Sequence, residues 1–126
     1  MCSSDLACAA ALGVFETIEE EGLVSRALML GEILSNRLEE LKSKYSVIGE
    51  VRGRGAMQAI ELVKPGTKDP NPEAMAKVIK YCQQNGVLIL TAGTYANVIR
   101  FLPPLVITEE LLRDALDVLE AGFATL

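Results

Sequence analysis

The stretch LVSRALMLGEILSNRLEELKSK (residues 23–44) restricts the fold more than any other part of the chain. Ala27, Leu30, Gly31, Leu34, Leu38 and Leu41 recur at three- and four-residue steps, so a helix places them on one stripe. Such a stripe has to be covered by a sheet or by other helices. Upstream, LACAAALGVFETIEEE leads to Gly22, a natural helix stop, with Ser4 or Asp5 available as N-cap. Residues 5–44 therefore read as a long helix with one interruption, and its first half is apolar nearly all round.

The downstream pattern supplies the cover. VIGEVR (47–52) and AMQAIELV (56–63) read as strands joined through Gly53-Arg54-Gly55. KPGTKDPNP (64–72), with three prolines, is a loop. Met75, Val78, Ile79 and Cys82 form the apolar face of a helix over 73–84, which Gly86 ends. VLIL (87–90) reads as a strand, TAGTYAN as a turn, and VIRFL (98–102) as a strand stopped by Pro103-Pro104. Thr108 is a good N-cap for a last helix carrying Leu112, Ala115, Leu116, Leu119 and Phe123. The expectation is an α+β layer: helices on one face of a mostly antiparallel sheet, in a single unit without internal repeats.

Composition narrows the function classes. The net charge is −5 and the twelve basic residues are scattered, which argues against nucleic acid as a partner. Histidine is absent, so the chemistry is not histidine-based. Cys2, Cys8 and Cys82 are odd in number and lack C-x-x-C spacing, so no metal site or disulfide framework is expected and a reducing cytoplasm is the default. The apolar run Leu6–Phe15 follows Asp5 rather than a basic region and is too short to span a bilayer, so no membrane association is expected.

Five features compete as sites. VRGRGAM (51–57) reads either as an anion-holding backbone nest or as a glycine-permitted bend between paired strands. It lacks the spacing of a nucleotide phosphate loop. Glu19-Glu20-Glu21 has no matching metal ligands and reads as solvated surface. Cys82 lies on an apolar helix face and reads as a small core residue, while Tyr95 sits in a glycine-containing loop near Arg100. Arg100 is a permanent charge inside an apolar strand. It must meet a carboxylate of the protein or one that arrives from outside, and the residues by themselves leave both open.

DLACAAALGVFETIEEEGL, VRGRGAMQAIELV, NGVLILTAGTYANVIRFLPPLVI and LLRDALDVLEAGF together resemble the C-terminal part of class III, pyridoxal-phosphate-dependent aminotransferases. The resemblance covers residues 6–124, and GTYANVIRFLPPL favours the 4-aminobutyrate branch. It implies the small C-terminal domain of a fold type I enzyme, with the helices that lead into it, at residues 6–126. It also implies a homodimer in which this domain closes on a large cofactor-binding domain. Arg100 would bind the substrate carboxylate and pair with a glutamate of the large domain, and Gly93, Thr94 and Tyr95 would form an active-site loop. Positions 1–5 (MCSSD) depart from the family pattern and read as a non-native leader.

In the family the Schiff-base lysine and the phosphate-binding loop belong to the large domain, upstream of this region. Lys42, Lys44, Lys64, Lys68, Lys77 and Lys80 have no such motif around them. These residues alone are therefore expected to hold no catalytic or cofactor-binding group and to be inactive. The resemblance implies amino transfer from an omega-amino acid, 4-aminobutyrate, to 2-oxoglutarate. Alternatives are another class III enzyme of ornithine, acetylornithine or diamine type, and a stand-alone amino-acid-binding regulatory module.

Overall fold

The computed structural model describes residues 4–126. Two helices lead the chain, α1 (Asp5–Glu20) and α2 (Leu23–Lys44), broken where Gly22 takes a left-handed conformation at φ +60°. Ser4 caps α1, its Oγ accepting from the Ala7 amide. The residues read as a leader are thus divided: Ser4 and Asp5 begin α1, and residues 1–3 lie outside the described residues. β1 (Ile48–Arg54) and β2 (Met57–Leu62) follow, then α3 (Pro72–Gln84), β3 (Leu90–Ala92), β4 (Val98–Phe101) and α4 (Glu109–Phe123).

The sheet order is β1-β2-β4-β3, and every pairing is antiparallel. Ile60, Leu62, Ile99 and Phe101 point to one face, where they meet the buried stripes of α2, α3 and α4. Leu30, Leu34, Leu38 and Leu41 of α2 are fully buried there, as the heptad-like spacing requires. Asn71 caps α3 through its side chain, with Pro72 at the first helical position, and Thr108 caps α4. Among the described residues no helix packs on the opposite face of the sheet, so the α+β reading with helices on one face holds.

Two boundaries differ from the sequence reading. β1 runs on through Gly53 and Arg54, so the turn is only Gly55-Ala56, with Gly55 at φ +53°. Residues 87–89 are not a strand; β3 begins at Leu90 and takes in Thr91 and Ala92. Leu90 pairs with Arg100, so Leu88 would need a partner at position 102, next to two prolines. Pro103 and Pro104 offer no amide to continue the ladder. Val87 and Ile89 instead tuck their side chains against the core while Leu88 stands out, 86 % exposed.

Candidate functional site

The candidate site is the open face of the sheet, and its registers bring four residues into one row. Arg52 pairs with Ala59, Ala59 with Arg100, and Arg100 with Leu90. Alternation fixes what each does: Ile99 and Phe101 point into the core, which turns Arg100 outward. The charge that looks anomalous in an apolar strand is therefore exposed, and Arg100 makes no ion pair or hydrogen bond among the described residues. Ala59 between the two arginines leaves space above the sheet that a larger side chain would fill.

Arg52, in contrast, is paired. One of its terminal nitrogens bridges Glu50 at 2.6 Å and Glu61 at 2.8 Å. The other oxygen of Glu61 accepts from the amide of Asn97 at 3.3 Å, and Asn97 also donates to the Leu62 carbonyl at 2.9 Å. These bonds from Arg52 and Asn97 hold the Glu61 carboxyl below the usual carboxylate range, and the bond to Glu61 raises Arg52.

The β3–β4 turn closes the end of this face. The Ala96 amide donates to the Gly93 carbonyl at 3.2 Å, and Gly93 adopts φ +81°. A Cβ on Gly93 would lie 2.9 Å from a methyl of Val98, so both conformation and space call for glycine. Thr94 and Tyr95 project into solvent at this turn. Arg100 lies two residues beyond Val98 on the same face, and no hydrogen bond joins it to Thr94 or Tyr95 among the described residues.

Two residues that sequence reasoning passed over hold this arrangement. Asn97 is buried and fastens the start of β4 to β2 by its side chain, as above, while its carbonyl accepts from the Leu62 amide at 2.7 Å. Arg26 donates to the carbonyls of Leu105 (3.3 Å) and Ile107 (2.5 Å), fixing the chain after the proline pair. A polar residue opening an apolar strand was the available signal for Asn97. Arg26 had none, since its acceptors are backbone groups far along the chain.

VRGRGAM proves to be a packing device. A Cβ on Gly53 would lie 2.3 Å from the Met57 carbonyl, and one on Gly31 of α2 would lie 2.4 Å from the backbone of Gly55. Gly53 lets β1 and β2 close on each other, and Gly31 lets α2 touch the hairpin turn. Cys82 is buried in the core, and burial pushes its thiol up. Among the described residues no group of His, Cys, Asp or Glu could hold a metal, and no helix is long and apolar enough to cross a membrane.

Comparison with known proteins decides the family. A sequence profile described as Aminotransferase class-III matches residues 3–123. The chain belongs to the class III aminotransferases. It is 49 % identical over 120 residues to "Probable 4-aminobutyrate aminotransferase" of Bacillus subtilis (strain 168), covering 94 % of this chain and 28 % of that protein. It is 44 % identical over 121 residues to "5-aminovalerate aminotransferase DavT" of Pseudomonas putida (strain KT2440), covering 96 % of this chain and 28 % of that one. Among solved structures, an amine transaminase from an uncultivated Pseudomonas species in its PLP-bound form matches with a TM-score of 0.81 at 36 % identity. That match covers 94 % of this chain and 27 % of the other. The chain thus spans little more than a quarter of the proteins it matches.

Class III membership implies pyridoxal 5′-phosphate in the whole enzyme. The residues of this chain do not fit that group by themselves. On the helix-covered side of the sheet a cleft of about 240 Å³ reaches the edge of Arg100 and is lined otherwise by apolar side chains such as Leu34, Ile89, Leu102 and Leu116. It offers no lysine amine for the aldehyde and no acid for the ring nitrogen. Lys42 and Lys44 pair with Glu39 and Glu120 at the end of α2, and Lys64, Lys68, Lys77 and Lys80 are exposed.

Proposed function

We propose that this chain is the small C-terminal domain, with its leading helices, of a cytoplasmic homodimeric transaminase. The parent enzyme moves the amino group of an omega-amino acid, 4-aminobutyrate, to 2-oxoglutarate. In it, the open sheet face turns toward a large PLP-binding domain, and Arg100 receives the substrate carboxylate. The observation that carries this reading is the outward Arg100, without an ion pair among the described residues, in a row it shares with Ala59, Leu90 and the already paired Arg52. A planar fork of donors suits a carboxylate. Arg100 orients the substrate by the end remote from its amine, which suits an omega-amino acid. Tyr95 and Thr94, at the edge of the same face, border the entrance.

The test uses the full-length enzyme. A charged hydrogen bond contributes about 1.5–3 kcal/mol, so Arg100→Ala should lower kcat/KM for 4-aminobutyrate by roughly ten- to a hundredfold. Arg100→Lys should recover only part, because the bidentate geometry is lost. A primary amine without a carboxylate, followed in its own half-reaction, is the control. If Arg100→Ala slows that amine as much as 4-aminobutyrate, the arginine is a structural group and the carboxylate reading fails.

A further inference from the structure

Arg100 presents its charge at one fixed place only while β4 keeps its register, and β4 has little with which to keep it. The strand is four residues long and its neighbour β3 is three. Its pairing sets Arg100 beside Ala59, Ile99 beside Ile60 and Val98 beside Glu61. A slip of one residue would turn Arg100 into the core, and a slip of two would carry it about 7 Å along the sheet. The turn that feeds β4 adds to the demand. Ala96, directly before Asn97, has φ +50° and is the one non-glycine residue with positive φ among the described residues. A left-handed backbone is unfavourable where a Cβ is present, and it persists only where neighbouring bonds hold it.

Those bonds come from Asn97, which is 2 % exposed. This one residue meets both polar backbone groups of Leu62. The Leu62 amide donates to the Asn97 carbonyl at 2.7 Å, and the Asn97 side-chain amide donates to the Leu62 carbonyl at 2.9 Å. The same side-chain nitrogen reaches Glu61 at 3.3 Å. The Leu62 carbonyl also accepts from the amide of Asn71, the N-cap of α3, at 3.0 Å. The start of β4 is thereby fastened to β2 and, through it, to a helix that packs in the core. We infer that Asn97 is a positioning residue, which locks β4 against β2 and so sets where on the open face Arg100 meets the substrate carboxylate. This rests on the reading of Arg100 as carboxylate receptor.

Asn97→Ala removes the two side-chain bonds and leaves the backbone bond. The Leu62 carbonyl keeps the Asn71 amide and Glu61 keeps Arg52, so neither acceptor is orphaned and the fold should survive. In the full-length enzyme the variant should lower kcat/KM for 4-aminobutyrate about tenfold, because a small misplacement of a group that orients the substrate is costly. The half-reaction of a primary amine without a carboxylate should keep its rate. The same substitution is then made in the Arg100→Ala background. There Asn97→Ala should cost nothing more, since Asn97 acts through Arg100, whereas a merely structural role would cost as much as before. Asn97→Ser, whose single hydroxyl donor cannot serve both acceptors, carries the same measurements if the alanine variant does not fold.

Arg100→Ala and the carboxylate-free amine separate the two ways of failing. If Arg100→Ala affects the two amino donors equally, the receptor reading is wrong and this inference falls with it. If Arg100→Ala is selective but Asn97→Ala leaves 4-aminobutyrate unaffected, or slows both donors alike, the inference alone is overturned. A further loss on adding Asn97→Ala to Arg100→Ala would also overturn it, since Asn97 would then act by a route other than Arg100.

Discussion

An alanine at position 31 would put its Cβ 2.4 Å from the backbone of Gly55, a distance that side-chain adjustment cannot relieve. α2 and the β1–β2 turn would have to separate. Overpacking of this kind costs about 1–3 kcal/mol. Gly31→Ala should therefore reduce hydrogen-exchange protection across β1, β2 and the middle of α2 in the full-length enzyme, while α1 is unaffected. Arg100 is a residue of the opposite kind. Its side chain faces outward with no bond among the described residues, so its substitution should change catalysis far more than protection.

Helix α4 is joined to α2 by charge as well as by its apolar stripe. Arg37 meets Asp117 at 2.7 Å and also Glu120, and Lys44 meets Glu120 at 2.8 Å. The bond from Lys44 and the nearby Arg37 charge hold Glu120 below the ordinary carboxylate range. Since the unfolded chain then binds the proton more readily, stability rises with pH across this range. The contribution is complete above the ordinary glutamate value of 4.5 and fades as pH falls through the depressed folded value. Glu120→Gln should be less stable at neutral pH, and its stability should fall less on acidification than that of the parent. Urea midpoints measured at a series of pH values check this. Equal acid sensitivity in both proteins would show that the α2–α4 ion pairs do not contribute.

At the scale of the molecule, the apolar surface is unevenly distributed. α1 has no buried residue, and Leu6 (81 % exposed) and Phe15 (64 % exposed) both stand in solvent. Met57 and Leu90 are each 54 % exposed on the open sheet face. Surface of this extent calls for cover. A polypeptide of these 126 residues alone should self-associate or bind a hydrophobic dye, whereas the full-length enzyme should not. Light scattering and dye fluorescence report both. A monodisperse, dye-negative monomer would favour the stand-alone module over the transaminase domain.

Periodicity by itself determined the helices, their buried faces and the antiparallel α+β layer, because the three-to-four and alternating spacings are local and each admits one geometry. Glycine and proline marked the breaks for the same reason: Gly22 and Gly55 carry positive φ, and the proline pair ends β4. The likeness to class III enzymes was also legible in the residues. Whether Arg100 was a structural ion pair or a free receptor could not be read from its neighbours in the chain. What the fold adds is that β4 turns Arg100 outward, without a side-chain bond among the described residues, while Glu61 is held by Arg52 and Asn97, which lie 9 and 36 positions away from it. Gly53 and the strand at 90–92 were decided the same way, by the close approach of β2 and by the length of ladder β4 could offer. Contacts between distant segments depend on register, and register is settled only when the sheet forms.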